Sequence, residues 1–240
     1  MNVLKMAQDV ARKIGVTPPT ALFGSTAPIS VRMVALLEDQ GRYLRERCVW
    51  PQQKKFHTIT TTASRSKYPF PSDFYAWVPG TTIDQQYADR LVGPLTDSEW
   101  NDRVYAEGYE SRPAFRVYGP DGNPASSGGQ IEIHPTPASN GLTYTFDYLT
   151  KNLFYTSNYV TGSETISADT DVSLFDDDIM LKGLEWRYRE SKGQQYGEQK
   201  AEHDRMVDAA AARWAGTYKG SFANRMNEMK ISVPRGGWSL

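Results

Sequence analysis

Cysteine occurs once in the 240 residues, at Cys48, which excludes a disulfide within the chain and any cysteine cage for zinc. The three histidines, His57, His134 and His203, stand far apart and form no His-x-x-x-His pair of the kind a helical zinc site uses. No apolar run approaches the ~18 residues that a membrane span requires, and the opening residues lack the apolar core of a secretory signal. Phosphate loops of the Gly-x-x-x-x-Gly-Lys-Ser/Thr or Gly-x-Gly-x-x-Gly type are missing; Ser127-Gly128-Gly129 fits neither pattern and reads as a turn. Gly-x-Ser-x-Gly is missing too, which removes the nucleophile elbow of the hydrolases. These absences leave no recognisable motif for a metal, a nucleotide or an acyl-transfer reaction.

What is present is ordinary in amount and uneven in placement. Hydrophobic residues make up 39% and charged residues 23%, with a mean hydropathy of -0.57, which excludes collagen, a coiled-coil rod and wholesale disorder. The net charge of -1 conceals a polarity. Residues 1–55 carry nine Lys/Arg against four Asp/Glu, net +5, and residues 216–240 carry four against one, net +3. The stretch 56–215 carries fourteen against twenty-three, net -9. Basic ends around an acidic middle suit partners of opposite sign, although decorated helices produce the same pattern.

Periodicity divides the chain. Val3, Leu4, Met6, Val10, Ala11 and Ile14 recur at three- and four-residue spacings, and Gly15 suits the end of that helix. Pro18-Pro19 enforces an extended link. A second helix is predicted from Pro28, with Ser25 or Thr26 as cap, carrying Met33, Leu36 or Leu37, Leu44 and Cys48 on one stripe until Pro51. From about 54 to 171, Gly and Pro punctuate short runs rich in Thr, Tyr, Phe and Val, which predicts strands at 56–61, 75–79, 112–118, 130–134 and 143–149. Gly119-Pro-Asp-Gly-Asn-Pro124 marks a turn. Thr96 and Glu99 have capping-box spacing for a short helix, and 156–171 reads as a loop. Helix returns after Phe175, where Asp176–Asp178 suit a helix start. It carries Ile179, Leu181, Leu184 and Tyr188 and breaks at Gly193. A last helix spans about 195–215, with Met206, Val207, Ala210, Ala211 and Trp214 on one side. The expected fold is therefore α+β: a helical bundle from both chain ends (1–55 and 172–216), an inserted β-rich domain (56–171) and an extended C-terminal arm (217–240).

Few constellations carry chemistry. Asp169, Asp171 and Asp176–Asp178 lack the Gly turn and terminal Glu of a calcium loop, so caps and loop solvation explain them better. Cys48, in an apolar stripe, reads as a small core residue rather than a nucleophile. Paired carboxylates with Trp77, Trp100, Tyr118 and Tyr148 could serve a polysaccharide-active enzyme, but the same aromatics suit an ordinary core.

Several stretches, in order, resemble the head-to-tail adaptor (connector) proteins of tailed bacteriophages, the group that includes tail tubular protein A. They are Ile14-Gly15-Val16, Trp50, Tyr68-Pro-Phe-Pro-Ser-Asp-Phe74, Leu95-Thr96 leading to Trp100, and Phe115-Arg-Val-Tyr118. Ile131-Glu-Ile-His-Pro135, Phe146-Asp-Tyr-Leu149, Asp169-Thr-Asp171, Leu184-Glu-Trp-Arg-Tyr188 and Lys192-Gly-Gln-Gln-Tyr196 complete the series. The resemblance covers about 1–215. It implies a structural virion protein with no catalysis and no cofactor or metal. It further implies a ring of self copies, typically twelve, in the phage neck between the portal protein and the tail nozzle, through which double-stranded DNA passes at genome retention and ejection. It implies assembly in the host cytoplasm, without a membrane. In the arm, Phe222, Ile231, Val233, Arg235 and Trp238 are the expected portal-binding residues, being anchor types at interfaces. The alternatives are a polysaccharide-active tail enzyme and a different neck ring such as a stopper or nozzle.

Overall fold

A computed structural model describes residues 1–105, 112–119 and 129–215. Its architecture is α+β. Helix α1 (Val3–Lys13) starts where the Asn2 side chain accepts from Lys5 N at 2.9 Å. It ends through Gly15, whose φ of +74° lets Val16 N return to Ala11 O at 2.9 Å, a left-handed closure that glycine makes without strain. Val3, Met6, Ala7, Val10 and Ala11 form its buried face.

Helix α2 (Pro28–Arg47) has Pro28 in its first turn, as expected, but Ala27 at the cap position with no side-chain cap. Ser25 instead accepts from Ala27 N at 3.3 Å, which tightens the approach without satisfying the helix. Cys48 lies one residue beyond α2 in extended conformation, half-buried; the helix stops before the stripe reaches it. After the turn Pro51–Gln53 come the strands β1 (Lys54–Thr60), β2 (Lys67–Pro69), β3 (Phe74–Trp77), β4 (Ile83–Asp84) and β5 (Asp89–Arg90). Helix α3 (Asp97–Tyr105) follows, opened by the expected capping box: Thr96 N donates to Glu99 Oε2 at 2.8 Å, and Glu99 N returns to Thr96 Oγ1 at 3.3 Å. Then come β6 (Ala114–Tyr118), β7 (Gln130–His134), β8 (Thr143–Thr150), β9 (Phe154–Tyr155), β10 (Gly162–Ser163) and β11 (Val172–Ser173). Helices α4 (Asp177–Ser191) and α5 (Gly197–Ala215) close the described chain. Most of the turn at 119–124 and of Ser127-Gly128 lies outside the described residues.

All strand pairing within the sheets is antiparallel. β8 is the axis of the largest sheet: β1 runs along one side from Lys54 opposite Leu149 to Thr60 opposite Thr143, while β3 and β4 share the other side. The order β2-β7-β6 makes a second sheet and β10-β9-β11 a third. Residues 156–171 thus contain one short strand, β10, as well as loop; a two-residue strand with one Gly is too short to show a period.

Two apolar clusters form. One gathers Val3, Met6, Met33, Leu37, Leu44, Trp50, Phe175, Met180, Leu184 and Val207 from α1, α2, α4, α5 and the flanking segments, and it also takes in Leu153, Phe154 and Ile166. The other lies between the two larger sheets, where Phe115, Ile131, Ile133 and Phe146 are buried with Tyr68, Tyr144 and Tyr148. Trp77 stacks on Phe146 at 4.2 Å, and Phe70 on Phe74 at 4.1 Å, offset arrangements that aromatic quadrupoles favour. Arg45 bridges the parts: Nη1 donates to Glu164 Oε1 at 2.8 Å and Lys151 O at 3.2 Å, and its guanidinium lies over the Tyr75 ring at 4.3 Å. A buried arginine so engaged ties α2 to β3 and to the segment after β8.

Candidate functional site

The acidic residues act as hydrogen-bond acceptors for backbone. Asp169 Oδ1 takes Leu22 N at 2.8 Å and Phe23 N at 2.7 Å. Asp171 is buried, and its Oδ2 takes Ser167 N, Ser167 Oγ and Ala168 N at 2.7–2.9 Å, while its carbonyl accepts from Val3 N at 2.8 Å. Asp176 caps α4 by accepting from Asp178 N at 2.9 Å, and Asp177 pairs with the Met1 ammonium at 2.6 Å. Asp169, Asp171 and Asp177 thus fasten the 20s loop, α1 and Met1 to this segment, while Asp176 caps α4. No group of three potential metal ligands occurs among the described residues.

The aromatics weighed for sugar stacking are engaged elsewhere. Trp77 and Tyr148 belong to the core between the sheets. Trp100 is buried against His134, with the Arg116 guanidinium 4.4 Å above its ring and the same distance from Tyr118. Arg116 in turn meets Glu132 at 2.8 Å. Tyr148 donates to Asp73 Oδ1 at 2.8 Å, while Asp73 Oδ2 accepts from Lys55 Nζ at 2.6 Å and Thr150 Oγ1 at 2.9 Å. Burial by itself would push the Asp73 carboxyl up, but these three donors together hold it below the usual carboxylate range. Burial and the neighbouring carboxylate push the Tyr148 phenol up. A glycosidase acid needs a raised pKa, so Asp73 is placed as an anchor of β3 on β1 and β8.

The cleft lined by Asp84, Tyr87, Asp89, Arg90, Leu91, Arg112 and Pro113 has a volume of 390 Å³. Its charged groups face each other: Arg112 meets Asp89 at 3.4 Å, and Asp84 Oδ1 accepts from Gln86 N and Tyr87 N. None of its lining residues pairs a nucleophile with a base.

Between the helices lies a polar network. Gln40 and His203 are fully buried, with Gln40 Nε2 and His203 Nε2 2.8 Å apart, and Gln40 Oε1 accepts from Arg187 Nε at 2.8 Å. Sequence reading missed Gln40, Arg187, Asp73 and Arg45. Gln40 falls on the apolar stripe of α2 between Leu37 and Leu44, and His203, at four-residue spacing before Val207, shares the buried face of α5; the period could have marked both as buried polar residues, whereas Arg187 on α4 carried no such mark. The anchor residues expected in the arm, Phe222, Ile231, Val233, Arg235 and Trp238, lie outside the described residues.

The described residues thus present surfaces and internal fastenings. A family model for the SU10 adaptor protein matches residues 1–236, and the chain belongs to that family of bacteriophage structural adaptors. No curated protein matches the chain. No described helix is long and apolar enough to cross a membrane.

Proposed function

We propose that this adaptor forms a ring of self copies, twelve in number, seated between the portal protein and the tail in the virion neck, where it extends the channel through which double-stranded DNA is retained and ejected. In this reading residues 1–55 and 172–216 make a helical bundle, 56–171 an inserted domain facing tail proteins, and 217–240 an arm that reaches the portal with Phe222, Ile231, Val233, Arg235 and Trp238. The protein is not an enzyme in this reading, and its finer likeness is to tail tubular protein A.

The family match over almost the whole chain carries the reading. Physical argument supports its details. A closed ring repeats one heterologous interface, so each subunit presents two different complementary faces, and the basic ends and acidic middle supply opposite signs. A channel must also release DNA, and a subunit of net charge -1 offers few counterion-releasing contacts. Co-sedimentation with purified portal tests the arm: truncation after Tyr218 abolishes attachment while circular dichroism stays unchanged, and undiminished attachment overturns the role given to the arm.

A further inference from the structure

Two cations share one tryptophan where α4 and α5 meet. The Arg187 guanidinium lies 4.6 Å from the centre of the Trp186 ring and 5.3 Å from that of Tyr43, and Lys200 Nζ lies 5.4 Å from the same indole. Tyr196, at the start of α5, brings its ring to 6.2 Å from Trp186. Since both cations stand over one ring, their charges are no farther apart than the sum of those two distances. That span takes in neighbouring phosphates of one strand, which recur every ~3.4 Å along a duplex axis.

Neither cation has a carboxylate within ion-pair distance among the described residues, whereas Arg42, Arg47, Lys182 and Arg189 of the same bundle each meet an Asp or Glu. For Lys200, which is exposed, that is ordinary. For Arg187 it is not: the residue is half-buried, and a charge taken out of water is costly unless partners offset the loss. Burial pushes its guanidinium below the ordinary value, opposed at longer range by Asp39 and Glu190. Asp39 is itself turned to Arg42 at 3.4 Å.

The donors of Arg187 are arranged for a ligand outside the chain. Gln40 Oε1 takes Nε at 2.8 Å, which fixes the plane of the group and uses one donor only. The two Nη groups have no hydrogen-bond partner among the described residues, and they are not sealed from solvent as Arg189 Nε is. A planar fork held still by an amide and two rings suits two oxygens of one phosphate, with Lys200 beside it as a point charge. Trp186 is buried, so its ring carries the cations and offers no plate on which a base could stack. The corner therefore addresses a phosphate backbone and not base edges. Duplex phosphates stand at fixed spacing, which a fixed fork and a neighbouring ammonium can match; the carboxylates of an acidic peptide have no such spacing.

We infer that Arg187 and Lys200 form a phosphate site for the backbone of duplex DNA, used without regard to sequence. The inference rests on the proposed passage of DNA and adds the residues that touch the strand. Repeated around a ring, one such pair per subunit makes a collar of few and separated cations. Each contact releases about one counterion, so the strand is met without being held.

The test uses the full chain and a mixed-sequence duplex, with fluorescence anisotropy read from 25 to 150 mM salt. Lys200→Ala should flatten the slope of log affinity against log salt by at least about one, and Arg187→Ala likewise. Lys5→Ala, which removes an exposed cation of α1, should leave it unchanged. Urea midpoints confirm that the variants fold; where Arg187→Ala does not, Lys200→Ala decides. Equal slopes for Lys200→Ala and the unsubstituted chain, equal losses in Lys200→Ala and Lys5→Ala, or no binding of the duplex by the unsubstituted chain at 25 mM salt each overturn the inference. Ring formation on the portal is read separately by electron microscopy, so rings that form beside any of these results leave the ring standing and remove the phosphate site alone.

Discussion

Gln40 and His203 meet at 2.8 Å in the fully buried seam between α2 and α5, and the pairing dictates the state of both. Because Gln40 Oε1 accepts from Arg187 Nε, its amide nitrogen faces the imidazole and donates. His203 Nε2 must accept, so its proton sits on Nδ1, directed at Asp204 Oδ1 3.4 Å away. The seam is built for a neutral histidine. Burial depresses its pKa, Arg187 acts in the same direction, and Asp204 opposes them.

The sign of the pH dependence follows. Below the ordinary histidine pKa of about 6.5 the unfolded chain takes up a proton that folded His203 resists, so stability falls as the pH drops through that value and stops falling below the folded pKa. Burial depresses His57 as well. Urea midpoints should therefore decline between pH 7.5 and 5.5, and His203→Gln should shallow that decline while His57 leaves a residue of it. An identical decline in the variant would contradict this account of the seam.

Gly183 of α4 lies against the same glutamine: a Cβ there would overlap the Gln40 amide. That amide is held by His203 and Arg187 and cannot swing aside. Gly183→Ala should cost about 2 kcal/mol despite the better helix former, within the range for overpacking. Gly197, with nothing within 4 Å of a Cβ, serves as control; Gly197→Ala should be neutral or slightly stabilising. Equal denaturant midpoints for the two variants would refute the close packing of α4 on α2.

Asp73 joins three strands through Lys55, Tyr148 and Thr150. Asp73→Ala removes the acceptor of a half-buried ammonium and of two buried hydroxyls and should destabilise by about 1–3 kcal/mol. Since donors hold the carboxyl ionised, its contribution is present above the ordinary carboxylate pKa of about 3.9 and lost as the pH falls below it. Thermal melts of the wild type and the variant should differ at pH 7 and converge toward pH 2–3.

The proposed passage of DNA predicts weak binding. Non-specific contacts give dissociation constants of about 10⁻⁴–10⁻⁶ M at physiological salt, with affinity falling steeply as salt rises. Fluorescence anisotropy with duplex DNA should give values in or above that range; nanomolar binding at 150 mM salt would contradict a channel role.

The helices were legible wherever a terminus or a period was strong. The Gly15 stop, the Thr96–Glu99 box and the Asp176 start all act as their residue types suggest, because caps are local chemistry. The five longer strands were placed to within two residues at each end, since Ile131 and Ile133 alternate and Gly and Pro bound the runs. β2, β4, β5, β9, β10 and β11 were not visible: two or three residues hold no period, and their pairing depends on partners such as β8 and β9 brought up by the fold. Cys48 was read as part of the α2 stripe, yet the backbone turns extended one residue earlier. Of the acidic residues read as caps and loop solvation, Asp176 does cap α4, but Asp171 is buried, and the partners of Asp169, Asp171 and Asp177, namely Leu22, Phe23, Val3 and the Met1 ammonium, lie far off in sequence. The polar seam at Gln40, Arg187 and His203 exists only once α2, α4 and α5 are packed; the helical period puts Gln40 and His203 on buried faces but does not pair them.

The central claim is that copies of this chain join edge to edge into a closed ring on the portal. Electron microscopy of the purified protein mixed with portal tests it most directly. Class averages should show a ring of twelve copies capping the portal, coaxial with its channel; portal particles left bare beside a 27.0 kDa monomer would contradict it.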